Sequence, residues 1–375
     1  MESSTGTAPL ARWLASVLVI GGAASAGAQY DWSEVDAILE AAVPGTVESL
    51  GFAIVRGDEI LYQRAIGQDP GHVALIASAS KMPSAAALLT LVDDGSLDLD
   101  APVGGYLAGA VDWPADKAAV TTRMLLNHTH GLAETPCLEN PFTTLAACVE
   151  EIAAAPLLFT PGSAFAYGGA GFQVAGLVAQ ELAGESWADL FAERIAAPLG
   201  LEVFHYGPGQ NPRIGGGARS NVADYLKLLR FQLGAGDFAG HRVLSSGLAA
   251  VMRTDQVEGL PVVYSPLPWP AVYSFGWWFA PPFELGQSPG PELSDPGKFG
   301  TTPWIDLALG YGAVLLIEAT TADGLQLQWQ LRPAIQAQML AHPGPGAILH
   351  RDGFEDGDLR AWVVGGLRGS STPED

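Results

Sequence analysis

Between Val73 and Val92 the chain carries a single charged side chain, Lys81. That run sets a tight limit on what the chain can fold into. Residues 84–92 (Ser-Ala-Ala-Ala-Leu-Leu-Thr-Leu-Val) are apolar and mostly good helix formers, which predicts a buried helix. Pro83 cannot lie deep in a helix, so its regular turns are expected to begin near Ser80. An ammonium in apolar surroundings loses hydration, which lowers its pKa. Ser78 lies one turn before Lys81, at the expected N-terminal mouth, where free N–H groups favour negative charge. A serine hydroxyl becomes a nucleophile once a base takes its proton, and an uncharged lysine one turn away can do that. Ser-x-x-Lys spacing also arises by chance around solvated lysines. The apolar context is what makes Ser78 and Lys81 candidates. Ser80 is a rival by sequence, but adjacent residues do not face each other across a helix turn, so Ser78 is preferred.

The length of 375 residues suits one large domain or two smaller ones, and 48% apolar residues allow a substantial core. Forty acidic against eighteen basic side chains give a net charge of −22, which argues against binding nucleic acid or an anionic membrane surface. Arg12 precedes an apolar run, Trp13–Ile20, followed by Ala26-Gly27-Ala28. This predicts a signal peptide over residues 1–28, cleaved before Gln29, and a secreted or periplasmic protein without stable membrane insertion. The run is short for a span, although a retained anchor stays the alternative. In an exported chain Cys137 and Cys148 are expected to pair; two buried thiols are the other reading.

An amphipathic helix is expected over 31–41 and a hairpin over 51–66, turning at Gly57-Asp58. Helices are expected near 118–127, 143–155, 170–183, 186–196 and 221–235. Strands are expected at 272–280, 312–319 and 325–331. Strands at the start and end suggest one sheet built from both ends of the chain, with a helical region inserted between. The main domain would span 29–340, its sheet part about 29–80 and 260–340, its helical part about 81–259. Residues 341–347 read as a linker and 348–375 as a short acidic tail. Phe354 stands where a calcium loop needs an oxygen ligand, so the tail is expected to bind no metal. His128 and His130 lack a nearby acidic or cysteine partner and read as structural.

Further words follow in order: Leu125-Leu126-Asn127-His128-Thr129-His130-Gly131-Leu132, Phe159-Thr-Pro-Gly162 leading to Tyr167, Pro198-Leu199-Gly200-Leu201, and Gly215-Gly216-Gly217-Ala-Arg-Ser220 with Asp224. With Ser78-x-x-Lys81, the series resembles the serine beta-lactamase and penicillin-binding protein superfamily. It looks most like class C beta-lactamases and family VIII carboxylesterases. The resemblance covers roughly residues 30–335 and implies an α+β, beta-lactamase-like fold: an antiparallel sheet flanked by helices, built from both ends of the chain, with an inserted all-helical region and a cleft between the two parts. It implies Ser78 as the acylated nucleophile, Lys81 as the base, and Tyr167 as the opening tyrosine of the second motif, Tyr-x-Asn.

Two departures bear on substrate. The second motif reads Tyr167-Gly168-Gly169, so Gly169 stands in place of the asparagine that helps hold the lysine and the amide side chain of beta-lactams. That loss points towards esters. The third motif, normally Lys-Thr-Gly or His-x-Gly, is also altered. It is either Lys298-x-Gly300 or Asp295-Pro296-Gly297; the second register is preferred and would make the Lys298 N–H partner that of Ser78 in an oxyanion hole. Trp269, Trp277, Trp278 and Trp304 are candidates for an acyl pocket or for strand core. The expected function is a serine hydrolase, a carboxylesterase acting on a small-molecule ester without cofactor or metal. A beta-lactamase or D-alanyl-D-alanine carboxypeptidase acting on amides is the alternative, and a catalytically silent binding protein the alternative of another class.

Overall fold

A computed structural model of the chain describes residues 30–268, 271–280 and 292–344. The expected signal peptide, Trp269 and the acidic tail lie outside the described residues. The described residues from Asp31 onward form one unit.

Its frame is a six-stranded antiparallel sheet. From one edge the strands run Glu59–Ile66, Leu50–Arg56, Tyr311–Leu316, Thr302–Asp306, Glu292–Ser294 and Trp278–Phe279. The pairing of Leu50–Arg56 with Tyr311–Leu316 joins the two ends of the chain at the centre of the sheet. Side chains alternate across it. Gly51 abuts Val222 of the Val222–Leu233 helix, while Phe52 stacks on Trp304 with ring centroids 5.9 Å apart. Ala53 and Val55 enter the large core shared with the Lys81–Asp93 helix. That helix is buried from Lys81 through Leu91, as an apolar run with no polar face must be. It ends at Asp93, and Gly95, with a φ of +80°, suits the turn that follows.

Three expectations need correction. Residues 325–331 belong to a long helix, Thr321–Ala341, and form no strand. The Leu/Gln alternation there mimics a period of two. A capping box, Thr320 with Asp323, starts the helix, and no β-branched residue opposes it from Ala322 to Leu331. The buried positions Gly324, Gln328, Leu331, Ile335 and Met339 follow helical spacing. The helix also runs into the start of the expected linker. Of 272–280, only Trp278–Phe279 joins the sheet, because Gly276, at φ +87°, turns the chain. The strands Glu292–Ser294 and Thr302–Asp306 escaped notice, the latter because Pro303 reads as a breaker.

Helices and loops dominate the stretch between the sheet segments, with Leu145–Ala154 and Ala170–Ala183 packed together. Cys137 and Cys148 form a disulfide, closing a loop with a sequence separation of 11. A loop of this size contributes about 3 kcal/mol in the chain-entropy account. Among the described residues, no helix is long and apolar enough to cross a membrane.

Candidate active site

The buried Lys81 helix is preceded by a tight turn, Ala77–Ser80. Ala77 takes a φ of +47°, a conformation that costs a non-glycine residue energy and that the surroundings must enforce. The enforcement is visible. Ser80 Oγ donates to the Ala77 carbonyl at 2.6 Å and accepts the Ala218 N–H at 3.1 Å, while the Tyr225 hydroxyl donates to the Ala79 carbonyl at 2.7 Å. Ser80 is thus fully engaged in holding the turn, and Ser78 is the serine left facing the cleft.

Lys81 Nζ lies 3.3 Å from Ser78 Oγ, and it donates to the Gly215 carbonyl at 2.7 Å. Nζ also sits 4.6 Å from the centroid of the Tyr167 ring. Burial lowers the Lys81 pKa to about 8, against the opposing pull of Asp295 and Glu134. Burial raises the Tyr167 pKa, and hydrogen bonding with Ser78 and Trp278 partly opposes the rise. An amine easily uncharged and a phenol that keeps its proton therefore flank one hydroxyl.

These groups open into a cleft of about 700 Å³ between the helical stretch and the sheet edge. Tyr264, Leu267, Trp278 and Phe299 give it apolar surface. Behind Tyr167 stands His128, ring centroids 4.6 Å apart, with its Nε2 3.2 Å from the Tyr273 hydroxyl. Burial keeps the His128 and His130 pKa values low, that of His130 at about 3, so both rings are neutral packing elements. Trp277 and Trp304 are buried in the core, whereas Trp278 packs on Tyr167 at 5.1 Å and lines the cleft.

The remaining candidates fall into place unequally. Gly297 packs its backbone against the carbonyl of Ile76, two residues before Ser78, so closely that any side chain would collide. Gly300 instead abuts Ile317 and Thr320. Lys298 lines the cleft and is exposed. Gly169 caps the Ala170–Ala183 helix and gives its N–H to Glu134 at 2.8 Å.

The roles of two residues escaped sequence reasoning. Asp295, which precedes Gly297 by two, is fully buried and accepts the Met82 N–H at 3.1 Å. Its other oxygen has no partner among the described residues. Its pKa is pushed well up by burial, with Lys81 opposing. Glu134 enters the cleft beside Gly168 and Gly169. Glycine at 168, where a Cβ would collide with Glu134 Oε1, leaves the room that Glu134 takes.

The sequence pattern of the Beta-lactamase family matches residues 35–337. The chain is similar to the lovastatin esterase of Penicillium rubens, 28% identical over 326 residues that cover 70% of this chain and 77% of the relative. It is similar to Esterase EstB of Burkholderia gladioli, 32% identical over 206 residues, covering 48% of this chain and 51% of the relative. Among solved structures it is similar to a penicillin-binding protein homolog from Caulobacter crescentus, with a TM-score of 0.69 and 19% identity over 82% of this chain and 97% of that one. At that identity the likeness shows the fold alone.

Proposed function

The chain belongs to the Beta-lactamase family, a family of serine hydrolases, and from that premise we propose that it cleaves carboxylic esters through an acyl-enzyme at Ser78. Lys81 in its uncharged form takes the Ser78 proton as Oγ attacks the ester carbonyl. The N–H groups of Ser78 and Lys298 receive the oxyanion. The Tyr167 phenol, kept protonated by burial, gives its proton to the departing alkoxide, and the proton on Lys81 restores the phenol. Water then attacks the acyl-enzyme carbonyl, losing a proton to Lys81, and Ser78 leaves with a proton regained. The observation that supports this reading is the approach of Lys81 Nζ to 3.3 Å from Ser78 Oγ, inside a buried helix and against the Tyr167 ring. Ester rather than lactam preference is supported by Gly169, which offers no amide to hold an acylamido side chain.

The chain is further proposed to be exported, on the strength of the apolar segment Trp13–Ile20 and the Cys137–Cys148 disulfide. N-terminal sequencing of the mature protein is expected to begin at Gln29.

Turnover of p-nitrophenyl butyrate, compared with nitrocefin, tests the substrate class. Mass spectrometry after fluorophosphonate treatment tests the nucleophile. Ester turnover with one adduct on Ser78 is expected. Rapid nitrocefin hydrolysis with no ester turnover would overturn the ester assignment, and no adduct at Ser78 would overturn the mechanism.

A further inference from the structure

Gly168 and Gly169 leave a gap in the cleft wall, and Glu134 fills it from a different segment of the chain. A Cβ added at Gly168 would collide with Glu134 Oε1, and one added at Gly169 would lie 3.4 Å from Oε2. The carboxylate thus occupies the space that a side chain at Gly168 would take and lies in contact range of one at Gly169. Its orientation is fixed. Oε1 accepts the N–H groups of both Gly169 and Ala170 at 2.8 Å, at the head of the 14-residue helix Ala170–Ala183. The helix dipole favours the negative charge there.

Oε2 remains. It accepts no hydrogen bond among the described residues, and Glu134 forms no ion pair among them. The other acid in the cleft, Glu139, is occupied: Arg213 binds both its oxygens, at 2.7 and 2.8 Å. The field of Glu134 reaches the reacting groups, since it pulls the pKa values of Lys81 and Tyr167 upward. A carboxylate differs from an amide in one decisive respect. It accepts hydrogen bonds and donates none, so it repels a substrate carbonyl and attracts an N–H or an ammonium.

We propose that Glu134 forms a subsite for an ammonium group on the substrate, so that the enzyme prefers cationic esters, such as esters of amino acids, over neutral ones of the same shape. This rests on the acyl-enzyme reading of Ser78. A cation seated on Oε2 would complete the coordination of a carboxylate already held on its other side by two backbone N–H groups.

Matched pairs test it. β-Alanine methyl ester and methyl butyrate differ in the charge of the acyl end; butyrylcholine and 3,3-dimethylbutyl butyrate differ in the charge of the alcohol end. The ratio of kcat/KM, cationic over neutral, is measured for the wild type and for Glu134→Gln. In at least one pair the wild type is expected to favour the cation about three- to tenfold, the range of one charge-assisted contact at a partly exposed site. Glu134→Gln is expected to bring that ratio close to one, and raised salt to weaken the wild-type preference. A capping role alone would move both members of a pair together and leave the ratio unchanged. An unchanged ratio, with Ser78 still labelled by fluorophosphonate and both esters turned over, overturns the subsite alone. No turnover and no Ser78 adduct overturns the acyl-enzyme reading and the subsite with it.

Discussion

Glu292 and Asp295 sit three residues apart, both buried, and they meet opposite fates. Glu292 is surrounded by donors. Arg332 lies 2.8 Å from one oxygen and 2.9 Å from the other, Gln328 adds a bond at 3.2 Å, and Tyr311 stands at 3.5 Å. Burial pushes its pKa up to about 8 while Arg332 pulls it down. Two of these partners lie one turn apart on the Thr321–Ala341 helix, so the network ties that helix to the sheet. Asp295 has one backbone N–H and an oxygen without a partner among the described residues, facing the field of Lys81. The same functional group serves as a fastener where its hydrogen bonds are complete. Where they are incomplete, as at Asp295 in the field of the buried Lys81, it is expected to act as an electrostatic control.

Mutations can pull these two regions apart. Ser78→Ala is expected to lower ester turnover by at least about 10⁴-fold. The unfolding free energy should stay within about 0.5 kcal/mol, because one part-exposed hydroxyl is lost. Steady-state kinetics and urea denaturation read the two effects, and a large loss of stability would blur the separation. On the fastener side the pattern inverts. Arg332→Met leaves a buried carboxylate unpaired and should destabilise the fold by about 3–5 kcal/mol, while kcat/KM per folded molecule is retained. A drop in kcat/KM of the folded fraction would link the network to catalysis and break the comparison.

Asp295→Asn gives a subtler result. The Asp295 charge is the larger of the two that raise the Lys81 pKa, so its removal leaves only Glu134 opposing burial and lowers that pKa below about 8. On the proposed mechanism activity requires uncharged Lys81, so kcat/KM is expected to rise as pH passes through the Lys81 pKa. The acid limb should therefore move to lower pH in the variant, by about one unit. A limb that stays in place would make Asp295 a second fastener. The smallest effect is expected from Thr320→Ala, which removes the cap of the helix carrying Arg332 and Gln328. It should cost about 1 kcal/mol in urea unfolding and leave the pH profile untouched.

The contrast also explains what could be read from the chain. Ser78 and Lys81 were legible because their relation spans one helical turn, and the uncharged run from Val73 to Val92 announces its burial. The pairing of both chain ends in one sheet followed from where the apolar strands lie. The Leu325–Leu331 alternation misled because side-chain periodicity can imitate a strand, while the cap at Thr320 fixes a helix. Asp295 was legible only as a letter in an altered motif. Its burial depends on the backbone of Met82, 213 residues away in sequence. Glu134 meets Gly169 across 35 residues, a contact that no local pattern announces.

The rate at which fluorophosphonate labels Ser78, followed across pH, tests most directly whether Lys81 takes the serine proton. The account predicts a single adduct on Ser78, forming faster as pH rises through about 8 in step with the loss of charge on Lys81. A rate independent of pH from 6 to 10, or an adduct on any other residue, would contradict it.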